Sequence, residues 1–280
     1  MKKPKIIVAR SAGFCFGVRR AIDLAEKTVG RRRRIYTLGP LIHNPQEVKR
    51  LCSNGIRSIK NPARLRGATL ILRTHGIPAP LMEKLRQRKL NIVDATCPFV
   101  KRAQDIVKRL SGGDYHILIV GEKTHPEVVA LVSYGGKLCN VVENKHELSG
   151  LKLGPRVGIV SQTTQTPENL KEVLDRVRRQ RPRAKIYNTI CRATIDRQAE
   201  ARALARKVQC VIVVGGKNSG NTRRLAEICS RYTATYPIET ASEIRPDWVK
   251  GVRAVGITAG ASTPDWIIHD VKDKIINIYE

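Results

Sequence analysis

The chain has 280 residues, 41% of them apolar, with 52 Lys and Arg against 24 Asp and Glu, a formal net charge of +28. Apolar runs such as CVIVV (Cys210–Val214) suffice for buried strands but fall far short of the roughly 20 residues of a membrane span. The basic start MKKPKIIVAR holds too short an apolar run for a signal peptide, so a cytoplasmic location is expected. Runs such as Arg31–Arg34 and RRQRPR (Arg178–Arg183) carry much of the charge, as attraction to an acidic partner or as a solvated Arg-rich surface. An aromatic content of 4% supplies few stacking platforms and argues against a single-strand nucleic-acid binder. Seven cysteines in such a chain are expected as thiols or metal ligands rather than disulfides.

In chain order, strands are expected at Lys5–Ala9, Arg34–Leu38, Thr69–Arg73, Asn91–Asp94, His116–Val120, Val157–Val160, Lys185–Asn188, Cys210–Val214 and Ala254–Thr258. They are short, rich in Ile, Leu and Val, and not alternating, which suits parallel sheets covered on both faces. Helices are expected at Gly17–Val29, Pro45–Leu51, Pro80–Lys89, Phe99–Leu110, Pro126–Val132, Glu168–Gln180, Thr194–Lys207, Thr222–Ile228 and Pro264–Ile276, several with proline in the first turn. Strand–helix alternation implies α/β lobes. Ligands of such lobes bind beyond the carboxyl ends of the strands. The loops there include Ser11–Cys15, Gly39–Asn44, Thr74–Pro78, Ala95–Pro98, Gly121–Glu127, Ser161–Thr166, Thr189–Ala193, Gly215–Asn221 and Thr258–Pro264.

Two triplets run in step through these loops. IIVARSAGFCFGVRRAIDLAE, LNIVDATCPFVKRAQDIVKRL and AKIYNTICRATIDRQAEARAL each close a β-like run on a cysteine and open a helix-like stretch. Cys97 follows Cys15 by 82 residues, and Cys191 follows Cys97 by 94. LGPLIHN, VGEKTHP and VGGKNSG place His43, His125 and Ser219 four residues after a glycine, again 82 and 94 residues apart. Equal offsets over such distances argue for threefold duplication. Three pseudo-threefold-related lobes are therefore expected, with short parallel sheets flanked by helices around a central metal site. Their bounds are read as 15–97, 98–190 and 191–280, the N-terminal strand 1–14 joining the last.

Three thiols do not complete a four-thiolate cubane shell, but they fill three corners and leave one iron open, and an open position marks a catalytic site. Zinc with a fourth ligand competes, although no CxxC knuckle is present. Burial as small hydrophobes is the ordinary fate of a single cysteine, and register across three copies favours metal. Cys210 and Cys229 read as packing residues, and Cys52 and Cys139 carry no signal.

His43, His75 and His125, with Ser219, Asn221 and Ser262 in the third lobe, lie in glycine-rich loops before helix starts. Backbone N–H groups and helix N-termini there suit a diphosphate. Glu127 is either a first-turn helix acid or a proton donor beside that set. Thr163 and Thr164 either cap the helix at Glu168 or relay a proton.

Taken together, GFCFGVRRAI, GPLIHN, RTHGIP, DATCPFVKRAQ, GEKTHPEV, SQTTQT, NTICRATIDRQ, VGGKNSGNTRRL and GITAGASTPDWII span almost the whole chain. In them the chain resembles the 4-hydroxy-3-methylbut-2-enyl diphosphate reductase (LytB) family of the non-mevalonate isoprenoid pathway. The resemblance implies a three-lobed α/β fold around one 4Fe-4S cluster held by Cys15, Cys97 and Cys191, with one open iron. It implies diphosphate binding by His43, His75, His125, Ser219, Asn221 and Ser262, proton delivery by Glu127, and substrate-facing Thr163 and Thr164. It implies reductive dehydroxylation to isopentenyl and dimethylallyl diphosphate, with a ferredoxin or flavodoxin as electron donor. One departure is visible: Gly220 stands where the family has a second serine, so only a backbone contact is expected there. The rival reading, a nucleic-acid-binding protein, rests on charge alone and leaves the triplets unexplained.

Overall fold

The computed structural model describes residues 3–30 and 34–280. Residues 31–33 of the Arg31–Arg34 run, and the first two residues of the N-terminal strand segment 1–14, lie outside the described residues. The elements are β1 (Lys5–Val8), α1 (Phe16–Val29), β2 (Ile35–Leu38), α2 (Pro45–Ser53), β3 (Ile56–Ile59), β4 (Thr69–Leu72), α3 (Ala79–Arg86), β5 (Asn91–Asp94) and α4 (Pro98–Ser111). They continue with β6 (His116–Val120), α5 (Pro126–Gly135), β7 (Cys139–Val142), β8 (Val157–Ser161), α6 (Pro167–Gln180), β9 (Lys185–Tyr187) and α7 (Arg192–Ala205). The last are β10 (Cys210–Val214), α8 (Gly220–Ser230), β11 (Ala234–Ile238), α9 (Pro246–Val249), β12 (Ala254–Ala259) and α10 (Asp265–Asn277).

The strands form three four-stranded parallel sheets of one design. Their orders are β5-β4-β2-β3, β9-β8-β6-β7 and β1-β12-β10-β11. Each cysteine loop therefore leaves the same edge strand, β5, β9 or β1. Each Gly-x-x-x-His or Gly-x-x-x-Ser loop leaves the same inner strand, β2, β6 or β10. The third sheet borrows its fourth strand from the N-terminus, with Lys5 opposite Ala254 and Val8 opposite Ile257. The chain is thus an α/β protein of three sheet-centred lobes flanked by helices.

The continuous apolar strands are two-faced, as expected of parallel sheets. On β10, Cys210, Ile212 and Val214 face Ile267, Ile268, Val271 and Ile275 of α10. Val211 and Val213 face Ala201, Leu204 and Ala205 of α7 and Leu225 and Cys229 of α8. In the second sheet, Ile117 and Ile119 of β6 pack with Ala103, Val107 and Leu110 of α4. Burying each such aliphatic side chain contributes about 1.5–3 kcal/mol.

Nine of the strands match the expected ones, and three were not foreseen: β3, β7 and β11, the opposite edge strand of every sheet. Their sequences, IRSI, CNVV and ATYPI, are partly exposed and interrupted by polar residues or proline, which an edge position tolerates. Pro237 in β11 is tolerated for that reason. The expected helix starts are also corrected. Helices α1, α4 and α7 begin on the residue after each cysteine, at Phe16, Pro98 and Arg192, and α8 begins at Gly220. Gly220 and Asn221 therefore belong to a first helical turn, not to a loop.

By contact density the chain divides into two compact units. One is Met1–Arg19, Ile42–Arg50 and Arg192–Glu280; the other is Arg20–Leu41 and Leu51–Cys191.

Candidate functional site

The three cysteines occupy one structural position. Each is half-buried and directly precedes a 14-residue helix, where the positive end of the helix favours an anion. Each backbone N–H is held by the loop after the neighbouring strand. Cys97 N–H donates to the Thr74 carbonyl at 3.0 Å, Cys191 N–H to Thr163 at 2.9 Å, and Cys15 N–H to Ala261 at 3.0 Å. The remaining cysteines differ. Burial pushes the Cys139 thiol up to about 12 and those of Cys210 and Cys229 up to about 11, so they stay protonated, and Cys52 is an exposed surface thiol.

In the second unit Glu127 sits in the first turn of α5, 1% exposed. Its two oxygens accept from one residue: Thr163 N–H reaches Oε1 at 2.6 Å and the Thr163 hydroxyl reaches Oε2 at 2.7 Å. Because the Thr163 carbonyl accepts from Cys191, one peptide ties the buried acid to a cysteine loop. His125 caps α5, its Nδ1 accepting from Glu127 N–H at 3.2 Å. The His75 ring meets the His125 ring edge-on, centroids 5.5 Å apart. Thr164 is half-exposed, and its hydroxyl accepts from Gln162 Nε2 at 3.0 Å. Neither threonine caps α6; Thr166 does, accepting from Asn169 N–H.

In the first unit the His43 carbonyl accepts from the Ser262 hydroxyl at 3.0 Å. Gly216 lies so close that a Cβ there would stand 2.6 Å from that carbonyl oxygen. Ser219 caps α8 by accepting from Thr222 N–H, which leaves Gly220 and Asn221 as the first two helical residues. Among the described residues, the amide nitrogens of Asn44 and Asn221 and the Thr222 hydroxyl are buried with no hydrogen-bond partner. Buried donors left in this condition cost about 1–3 kcal/mol each unless something accepts from them. They fit an anion.

Equal spacing in sequence is not equal placement. His43, His125 and Ser219 all lie four residues after their glycine, but α2 starts one residue later than its counterparts. The cap equivalent to His125 and Ser219 is therefore Asn44, whose Oδ1 accepts from Glu47 N–H at 2.8 Å. His43 precedes it.

The sequence matches the family model described as LytB protein over residues 6–276. The chain belongs to the LytB family. It is 49% identical over 272 residues to a 4-hydroxy-3-methylbut-2-enyl diphosphate reductase of Pelobacter propionicus, covering 97% of each chain. It is 47% identical to the enzyme of that name from Aquifex aeolicus, covering 98% of this chain and 97% of that one. Among solved structures it is similar to (E)-4-hydroxy-3-methyl-but-2-enyl diphosphate reductase, the terminal enzyme of the non-mevalonate pathway. That match has a TM-score of 0.73 at 46% identity, over 98% of this chain and 99% of that chain. The Plasmodium falciparum reductase matches at TM-score 0.92 and 26% identity, over 99% of this chain and 88% of that chain.

The LytB family is one of iron–sulfur oxidoreductases, and the donor set fits such a centre. Cys15, Cys97 and Cys191 stand half-buried at helix N-termini, while the cysteines outside the triplet are buried and protonated or lie on the surface. Three residues supporting this LytB site were not singled out from sequence. Thr74 fixes its loop by donating its hydroxyl to the Leu41 carbonyl at 3.1 Å. Gln162, fully buried, accepts from Glu122 N–H. Arg197, 3% exposed, donates to the carbonyls of Ala259 at 2.8 Å and Gly13 at 3.0 Å. A charged side chain inside the third cysteine segment was the available signal, and its helical setting masked it.

Proposed function

We infer that this chain reduces 4-hydroxy-3-methylbut-2-enyl diphosphate to isopentenyl and dimethylallyl diphosphate. The observation that carries the reading is the Cys191–Thr163–Glu127 connection, in a chain that matches reductases of that name along almost its full length. We take the cofactor as one 4Fe-4S cluster held by Cys15, Cys97 and Cys191, with one iron open. When bound, such a cluster supplies electrons one at a time and a Lewis-acidic iron. The lobes are taken as 15–97, 98–190 and 191–280 with strand segment 1–14, and the location as cytoplasmic. Among the described residues no helix is long and apolar enough to cross a membrane.

The reaction takes up two electrons and two protons. The allylic C–O bond breaks, the hydroxyl leaves as water with one proton, and the other proton is placed on carbon. His43, His75, His125, Ser219, Asn221 and Ser262 bind the diphosphate, with a backbone contact at Gly220. Asn221 Nδ2 gains the acceptor it lacks. Glu127 delivers the proton, its carboxyl group oriented by the Thr163 hydroxyl, which donates to Oε2. Thr164, on the exposed side of the same turn, faces substrate. A positioned acid of this kind is worth about 10²–10⁴-fold in rate. A ferredoxin or flavodoxin supplies the electrons.

Anaerobic purification with iron, sulfide and zinc analysis tests the reading. A coloured protein with sulfide and iron that turns over the substrate with dithionite-reduced methyl viologen is expected. Cys97→Ser is expected to lose colour and turnover together. A colourless protein holding one zinc after anaerobic reconstitution overturns it.

A further inference from the structure

All three phenylalanines of the chain lie within two residues of a triplet cysteine: Phe14, Phe16 and Phe99. Two of them are exposed to solvent, Phe16 at 63% and Phe99 at 40%. An exposed phenyl ring loses the stabilisation of burial.

The two settings differ in charge. Past Phe16, α1 carries Arg19 and Arg20 but also Asp23 and Glu26. Past Phe99, α4 exposes Lys101, Arg102, Lys108 and Arg109 against Asp105 alone. Pro98, the residue before Phe99, lines a cleft of about 470 Å³ together with Arg20, Asp94, Thr96, Lys101, Arg102 and Asp105. Arg20 is fixed at its rim by donating to the Thr96 carbonyl at 3.2 Å. Lys101 pairs with Asp94 at 3.1 Å, which leaves Arg20 and Arg102 against Asp105 and the cleft with one surplus positive charge. An exposed ring next to a net-positive cleft is the usual make-up of an apolar contact with an electrostatic rim.

We propose that the face around Phe99, with Arg102, Lys101 and Arg20, docks the acidic one-electron carrier protein that reduces this enzyme. The proposal rests on the reductase reading above. Each turnover needs two electrons, so two reduced carriers are consumed and two oxidised ones released. Phe99 is two residues from Cys97 on the same helix start, so a carrier seated there lies against the loop of a cluster ligand. The acidic surface of the carrier meets Arg102 and Arg20 while Phe99 enters its apolar centre. Nucleic acid, the other partner for a basic surface, finds a single exposed ring here and no stacking series.

The test uses the holoenzyme, a plant-type [2Fe–2S] ferredoxin as probe, and dithionite-reduced methyl viologen as a reductant that needs no docking face. Phe99→Ser and Arg102→Glu are compared with Arg178→Glu/Arg179→Glu, which reverses exposed charges on α6. In the first two variants the ferredoxin concentration for half-maximal rate is expected to rise about tenfold, more so at low salt. Viologen-driven turnover should stay within twofold of wild type, and the α6 variant should match wild type in both assays. Unchanged ferredoxin dependence in Phe99→Ser and Arg102→Glu overturns the proposal. So does a viologen rate that falls in step, or an equal loss in the α6 variant, which assigns the effect to overall charge. Loss of oligonucleotide binding with ferredoxin dependence intact gives the face to nucleic acid and overturns it too. A wild-type enzyme driven by viologen but not saturable by the ferredoxin removes the docking face and leaves the reductase; a cluster-loaded wild type inert with viologen removes the reductase reading itself.

Discussion

Thr163 holds both carboxylate oxygens of Glu127, one through its backbone N–H at 2.6 Å and the other through its hydroxyl at 2.7 Å. The same residue accepts the N–H of Cys191 through its carbonyl. An acid gripped at both oxygens by one rigid peptide has its proton-bearing edge fixed, and that peptide cannot move without disturbing a cysteine loop.

Separating these two roles gives a graded prediction. Glu127→Gln keeps the size of the side chain and removes the transferable proton, so kcat should fall about 10²–10⁴-fold with iron content unchanged. Thr163→Val removes only the hydroxyl and should lower kcat about tenfold to a hundredfold, the worth of one hydrogen bond to a charged group. Single-turnover rates with matched iron analysis check both. Wild-type turnover in Glu127→Gln would remove the residue from the mechanism.

Gly220 is buried in the first turn of α8 with ordinary helical backbone, absent from the positive-φ positions. A serine fits that backbone and adds one hydroxyl beside Asn221. Gly220→Ser should lower KM for the diphosphate severalfold, consistent with one added hydrogen bond, with kcat little changed. Asn221→Ala should raise KM by a similar or larger factor. An unaltered KM in both variants would exclude this helix start from diphosphate binding.

Backbone closeness at Gly216 makes a different demand. A methyl there would sit 2.6 Å from the His43 carbonyl oxygen, nearer than real Cβ atoms approach. Gly216→Ala should push the His43 loop away, break its bond from Ser262, and weaken substrate binding more than Ser262→Ala does. Titration with inorganic diphosphate, read by calorimetry, ranks the two without any need for turnover.

The buried thiols set an alkaline limit. Desolvation raises Cys139 to about 12, whereas a thiol in the unfolded chain titrates near ~8.5. The folded state therefore holds a proton that the unfolded state has released. The stability that this contributes is intact below about pH 8.5 and is lost as pH rises toward 12. Urea midpoints measured from pH 8 to pH 11 should fall less steeply in Cys139→Ala than in wild type. Parallel slopes would contradict the assignment.

Much of this was legible from sequence because the apolar β-runs that precede each cysteine and glycine are the inner or ligand-side strands. What escaped was whatever neither periodicity nor spacing encodes. The strands β3, β7 and β11 carry mixed sequences, which their edge positions tolerate. The extra residue before α2 hides behind identical Gly-to-His spacing, and only helix geometry shows that Asn44, not His43, is the cap. Arg197 reads as one more cation in a basic chain, yet it is buried and spans from the β12 carbonyl at Ala259 to the Cys15 loop at Gly13. That Thr163 and not Thr164 binds Glu127 is a matter of side-chain direction, which adjacent identical letters do not carry.

The pairing of β1 with β12 has a consequence for how the protein is made. Cys15 leaves the ribosome first among the triplet cysteines, but the carbonyl that fixes its backbone belongs to Ala261, near the other end of the chain. The first two sheets consist of strands contiguous in the chain and can close during synthesis. The third waits for β12, a contact between distant parts of the chain that forms slowly. The earliest of these thiols to be translated is the last to be seated, and loss of β12 leaves the Cys15 loop without an anchor.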